Sequence, residues 1–172
     1  MKGSIVNCLE ELVVTKFGKE KWQNALENAG VEKSKSFLPI IDVDDSQVMN
    51  IVKSVCETLK IPLTQAADAF GDYWVNVYSQ KMYSAYYKNK TAKDLLLNMD
   101  SIHTTITKTI KNANPPRFDY EWKDDRTLIM NYQSHRGLVD FVVGLIKGVS
   151  KFYKENLKVT KLDSNKIQVV FQ

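Results

Sequence analysis

The chain has 172 residues, is 44% hydrophobic and 26% charged, and carries a net charge of +4. That is the length of one domain with a sizeable core. Scattered lysines argue against a nucleic-acid footprint, and no apolar run approaches the length of a membrane span. Cys8 and Cys56 are too few for a disulfide framework and form no C-x-x-C pair, so both are expected to be reduced and half-buried. Ile5 and Val6 are followed by Asn7 and then Glu10-Glu11, which is unlike a signal peptide, and a cytoplasmic protein is expected.

Ile5, Leu9, Leu12 and Val13 space a first helix that Gly18 should stop. Trp22, Ala25, Leu26 and Ala29 predict a short second helix ending at Gly30. Phe37 to Ile41 reads as an extended linker. Asp44-Asp45-Ser46 offers N-cap candidates for a helix carrying Val48, Ile51, Val52, Val55 and Leu59. Pro62 suits the first turn of the next helix, which carries Ala66, Ala67, Phe70, Trp74, Val77 and Tyr78. Gly71 inside it reads as a tolerated glycine, at about 1 kcal/mol against alanine, with close packing or a hinge as the alternatives.

Thr91 and Asp94 make a capping-box start for a helix whose Leu96, Met99, His103, Ile106 and Ile110 form one stripe. Asn114-Pro115-Pro116 is expected to end it. Beyond Pro116 the period changes to two. Phe118, Tyr120 and Trp122 share one strand face, and residues 123–126 turn into a return strand. There Leu128, Met130, Tyr132, Ser134 and Arg136 alternate onto one face. Residues from Gly137 to about Tyr153 are helical again. A second hairpin, 157–162 with 166–171, closes on Asp163-Ser164-Asn165. The class is α+β: a four-stranded antiparallel sheet, packed on one side by helices.

An imidazole on an apolar stripe is ordinarily a core histidine bonded to a carbonyl. Tyr132, Ser134 and Arg136, however, make a donor set suited to carboxylates, with Arg136 able to bind bidentately. Together they suggest a flat apolar ligand with anionic arms and a metal, a description that haem meets. His135 falls on the opposite face by alternation and reads as solvated.

With these residues in place the chain resembles the haem-nitric oxide/oxygen binding (H-NOX) domains, relatives of the haem domain of soluble guanylate cyclase. The resemblance rests on Met1-Lys2-Gly3, Met99-Asp100 with His103 and Lys108, Pro115-Pro116-Arg117, Tyr132-x-Ser134-x-Arg136, Gly144-Leu145-Ile146 and Ser150-Lys151-Phe152. It covers essentially residues 1–172 as one domain. It implies a helical distal lobe over about 1–62, packed on a proximal lobe over about 63–172 with haem b (iron protoporphyrin IX) between them. His103 is then the axial iron ligand, and Tyr132, Ser134 and Arg136 clamp the haem carboxylates. Pro116 bends the porphyrin.

In the oxygen-binding members a tyrosine on the helix after the clamp donates to dioxygen. The position here, five residues past Arg136, is Phe141. Dioxygen gains from such a donor and nitric oxide gains little, so the resemblance implies a nitric oxide sensor signalling through release of the His103–iron bond. Trp74 and Tyr78 carry polar hydrogens that could replace the missing tyrosine and favour dioxygen. Ile5, Met99 and Leu145 are apolar candidates for the rest of the pocket wall. The implied partners are nitric oxide, with carbon monoxide or dioxygen as other gases, and a signalling enzyme such as a histidine kinase or a cyclic-dinucleotide enzyme. No catalysis is implied, since a peroxidase needs a distal acid–base pair. Residues 157–172 hold neither Cys nor His, so the zinc site of some relatives is not expected. A haem-free interaction domain, with His103 only a core residue, is the remaining alternative.

Overall fold

The computed structural model describes residues 1–172. It divides into two compact units, Met1–Ala66 and Ala67–Gln172. In the first, α1 (Gly3–Phe17), α2 (Lys19–Asn28) and α3 (Asp45–Leu59) bury the stripes read from the sequence. Gly18, at φ +89°, ends α1 and caps α2; a side chain there would be strained. Asp44 is the N-cap of α3, its carboxylate accepting the Ser46 N–H at 2.8 Å and the Gln47 N–H at 3.3 Å. Ile5 lies half-buried on α1.

Two expectations need adjusting in this unit. The 37–41 linker is not extended throughout: it turns at Pro39-Ile40, where the Ile41 N–H donates to the Leu38 carbonyl at 3.1 Å. Cys8 is fully buried, whereas Cys56 is half-buried.

Helix α4 (Leu63–Tyr73) starts one residue after Pro62, whose carbonyl accepts the Gln65 and Ala66 N–H groups. The helix then widens into a π-turn, Trp74–Tyr78, where the Ser79 N–H reaches back to the Trp74 carbonyl at 2.8 Å. A short α5 (Gln80–Tyr83) follows, then a 3-10 turn over Ser84–Tyr86.

Helix α6 (Ala92–Thr109) opens on the expected capping box: the Asp94 N–H donates to the Thr91 hydroxyl at 3.1 Å and the Thr91 N–H to the Asp94 carboxylate at 2.9 Å. It ends well before the prolines, with Ile110 extended and Asn112 left-handed at φ +57°. Thr104, Thr105, Thr107 and Thr109 each turn a hydroxyl onto the carbonyl four residues back, a habit that weakens and bends helices.

The sheet has the order β1-β2-β4-β3, formed by β1 (Arg117–Trp122), β2 (Thr127–Gln133), β3 (Leu157–Lys161) and β4 (Lys166–Phe171), all antiparallel. Phe118, Leu128, Met130, Tyr132, Ile167 and Val169 face a core completed by Leu95 and Leu96 of α6 and by Val139, Val142, Ile146 and Val149 of α7 (Val139–Tyr153). The alternation expected through Arg136 stops at Gln133. In the register Arg117 pairs with Gln133, and the next hydrogen-bonded pair would set His135 against Pro115, which has no N–H to donate. The chain turns there instead, and exposed His135 sits in that turn rather than on a strand face.

Gly71 is more than tolerated. A Cβ on it would stand 2.1 Å from the Gly144 carbonyl carbon; one on Gly144, 2.1 Å from the Ala67 oxygen; one on Gly148, 2.5 Å from the Gly71 oxygen. The backbones of α4 and α7 therefore touch along a glycine seam. Two ion pairs straddle it, Lys147–Asp68 at 2.6 Å and Lys151–Asp72 at 2.7 Å.

Candidate functional site

The second unit gathers the candidate residues into two neighbourhoods. The first is built on His103. Its Nδ1 lies 2.7 Å from the Pro116 carbonyl oxygen. A carbonyl can only accept, so Nδ1 carries the proton and Nε2 keeps its lone pair. Burial pushes the imidazole below its usual range, against the opposing pull of the Pro116 carbonyl and Asp100. His103 is therefore a neutral ring with one nitrogen committed and the other available as a ligand.

The bonding to a carbonyl is what an ordinary core histidine would show. Here the acceptor belongs to the Pro-Pro segment, and that segment joins the Tyr-Ser-Arg set. The Phe118 ring lies 5.8 Å from the imidazole and 6.1 Å from the Tyr132 ring, its partner across the β1–β2 ladder. Buried Tyr132 accepts the Leu138 N–H on its hydroxyl at 3.2 Å. The Ser134 hydroxyl accepts the Arg136 N–H at 3.3 Å, and Arg136 Nη1 donates to the Asn114 carbonyl at 2.6 Å. Pro116 is thus held between an imidazole and the strand, and Arg136 is held beside the residue preceding the two prolines. Met99 packs half-buried against the core one turn before His103.

The second neighbourhood is aromatic. The Phe141 edge meets Phe70 at 5.4 Å, Phe70 stacks on Trp74 at 5.9 Å, and Trp74 stacks on Tyr78 at 5.4 Å. The π-turn keeps Trp74 and Tyr78 face to face in this file. Tyr78 is buried, and Lys81 Nζ lies 5.4 Å from its ring centroid. Leu145 packs half-buried against the core on the same helix as Phe141. Ile5 belongs to the other unit.

Sequence reasoning missed two features. Asp100 takes a bidentate contact from Arg117 and is held at about 2, chiefly by that guanidinium and then by the Phe118 N–H. Phe70 completes the aromatic file. An acid three residues before the histidine and an arginine directly after Pro-Pro were visible signals for the first. The second had none beyond its place on a helical stripe.

What the first neighbourhood defines is a neutral imidazole donor next to a polar, cationic loop end, on an apolar wall. Comparison with known proteins carries this to a family. The Haem-NO-binding family model matches residues 2–161, and the chain belongs to that family. It is 29% identical over 156 residues to soluble guanylate cyclase gcy-34 of Caenorhabditis elegans, covering 88% of this chain and 23% of that one. The chain thus spans about a quarter of the length of the curated relatives it matches.

Among solved structures, a Cs H-NOX mutant carrying 4-cyano-L-phenylalanine superposes with a TM-score of 0.87 at 27% identity, covering all of this chain and 97% of the other. An oxygen-binding H-NOX domain related to soluble guanylate cyclases, in its oxygen complex, gives 0.82 at 27%, covering all of this chain and 95% of the other. The α+β architecture is that of these domains, and H-NOX domains are haem-based gas sensors related to soluble guanylate cyclases. No helix is long and apolar enough to cross a membrane.

Proposed function

We propose that the chain senses a diatomic gas through haem b, with nitric oxide preferred to dioxygen, and passes the signal to an enzyme. The observation that carries this is the 2.7 Å contact from His103 Nδ1 to the Pro116 carbonyl, with burial favouring the neutral ring. It prepares Nε2 as an axial ligand. The donor set fits the group: one neutral imidazole, with a phenol, a hydroxyl and a guanidinium within five residues for the carboxylates, and apolar Met99 and Leu145 for the ring. Haem, when bound, supplies the iron at which a gas can attach.

His103 then holds the iron. Tyr132, Ser134 and Arg136 hold the carboxylates, and Pro116 limits how the ring can lie. Phe141, Trp74, Tyr78 and Ile5 belong to the gas side of this reading, with residues of about 1–62 as its distal lobe. Phe141 offers no hydrogen-bond donor, which removes the help dioxygen needs and costs nitric oxide little. Displacement of His103 is felt by α6 and, through Nδ1, by Pro116. The gas must bind one of two states better for this to signal. The relatives named soluble guanylate cyclases favour a nucleotide cyclase as the recipient; a histidine kinase or a cyclic-dinucleotide enzyme is the recipient that the family resemblance alone implies. We assign the chain itself no catalysis and a cytoplasmic location.

The test is the visible absorption spectrum of the reduced protein, alone, under oxygen and with nitric oxide. Haem bands that do not respond to oxygen and change to a five-coordinate form with nitric oxide support the assignment. No haem uptake overturns it. One observation favours a second reading, an oxygen sensor: Trp74 and Tyr78, each with a polar hydrogen, stand in the same aromatic file as Phe141. Reversible oxygen binding that is lost in Tyr78→Phe or Trp74→Phe would establish it.

A further inference from the structure

Asp100 lies three residues before His103 on α6, and Arg117 directly follows Pro116 on β1. Arg117 Nε and Nη2 each donate to the Asp100 carboxylate at 2.6 Å, and the Phe118 N–H adds a third bond at 3.0 Å. The Asp100 N–H donates to the Tyr120 hydroxyl at 3.3 Å, and that hydroxyl donates to the Leu96 carbonyl at 2.8 Å. One turn of α6 is thereby fastened to residues 117–120. The next carbonyl back along the strand is that of Pro116, the acceptor for His103 Nδ1.

The pair is not placed to stabilise the fold. Arg117 is 49% exposed and Asp100 27%, and ion pairs so open to solvent add little. Its bidentate fork and the added backbone donor instead fix direction. The Phe118 ring, 5.8 Å from the imidazole, is apolar and cannot choose between tautomers. Only the Pro116 carbonyl does that.

We propose that Asp100 and Arg117 are positioning residues for His103. By holding residues 116–118 against α6 they keep the Pro116 carbonyl on Nδ1, which leaves Nε2 unprotonated and able to ligate. Without a fixed acceptor the ring is free to carry its proton on Nε2, and in that form it cannot bind a metal through that atom. The role in ligation rests on the haem reading above, but the tautomer itself can be read without it.

The experiment is a histidine-selective ¹⁵N–¹H correlation spectrum of the full chain before haem is supplied, at a pH of about 8.5, where imidazoles are neutral. His135→Gln assigns the two rings. The parent is expected to show His103 wholly as the Nδ1–H tautomer. Asp100→Asn, which removes the charge, and Arg117→Lys, which keeps the charge but loses the fork, should each move a measurable fraction to Nε2–H. Arg117→Lys should show the smaller change.

After haem is supplied, the iron–imidazole stretch in the resonance Raman spectrum should shift in the same order. Should Asp100→Asn fail to fold, Arg117→Lys carries the test. Folded variants that keep the parent tautomer overturn the proposal. A parent that shows the locked tautomer and takes up no haem sinks the haem reading and leaves the positioning role standing.

Discussion

Gly144→Ala is the sharpest test of how α4 and α7 meet. The added methyl would sit 2.1 Å from the Ala67 oxygen and 2.6 Å from its carbonyl carbon, so the helices must part by roughly 1 Å to admit it. Overpacking that side chains can absorb costs about 1–3 kcal/mol. Here both sides of the contact are backbone, which puts the cost near the top of that range. Replacing a helical glycine returns about 1 kcal/mol of propensity. The net expectation is a loss of about 2 kcal/mol, or a fall in Tm of roughly 4–8 °C for a chain of this size. Urea melts followed by tryptophan fluorescence and by far-ultraviolet circular dichroism would measure it, with coincident curves as the check on two-state behaviour. Gly71→Ala should cost a similar amount, and Gly148→Ala less, since its nearest contact is 2.5 Å. One separation of the helices relieves both tighter clashes, so the Gly71→Ala/Gly144→Ala double variant should lose clearly less than the two single losses together. A Gly144→Ala protein as stable as its parent, or more so, would refute the seam and restore Gly71 to the status of a tolerated glycine.

Three further outcomes are expected. Asp100 is held at about 2, below its unfolded value of about 3.9. Its ion pair therefore contributes above that unfolded value and is lost as pH falls towards 2, so the stability gap between parent and Asp100→Asn should be small, under about 1 kcal/mol at neutral pH, and should close in acid denaturation profiles by pH of about 2. Phe141→Tyr supplies the missing donor beside Phe70; stopped-flow mixing of the reduced protein with oxygen should then show a slowly dissociating complex that the parent does not form. Thr91→Ala removes the hydroxyl that accepts the Asp94 N–H, and thermal melts should show α6 and the domain weaker by about 1 kcal/mol.

How much of this could be read from the chain follows from the reach of each interaction. The stripes of α1 to α3, the capping box at Thr91 and both hairpins were legible because their causes are local: side-chain period, a hydroxyl three residues from an acid, a short polar turn. The end of α6 was misplaced because two prolines mark a boundary that the helix does not reach; the threonines before them turn hydroxyls onto its carbonyls, which slightly destabilises a helix. The end of β2 was misplaced for a related reason. Alternation in one strand says nothing about whether the facing strand can still donate, and at Pro115 it cannot.

The site divides along the same line. His103, Tyr132 and Arg136 could be chosen by residue type and spacing, but what relates them could not, because it runs through Pro116, Phe118 and Asn114 on a segment between them. The glycine seam and the Asp100–Arg117 fork are likewise meetings of distant segments, and neither side has a period of its own. Their sequence traces are faint: Gly144 and Gly148 four apart on one helix, and an arginine after two prolines. Such traces become arguments only when the partner is known. The partner at Gly144 is a backbone carbonyl, for which no side chain stands in the sequence at all, so alanine substitution along the seam is a better probe of that contact than any further reading of residue types.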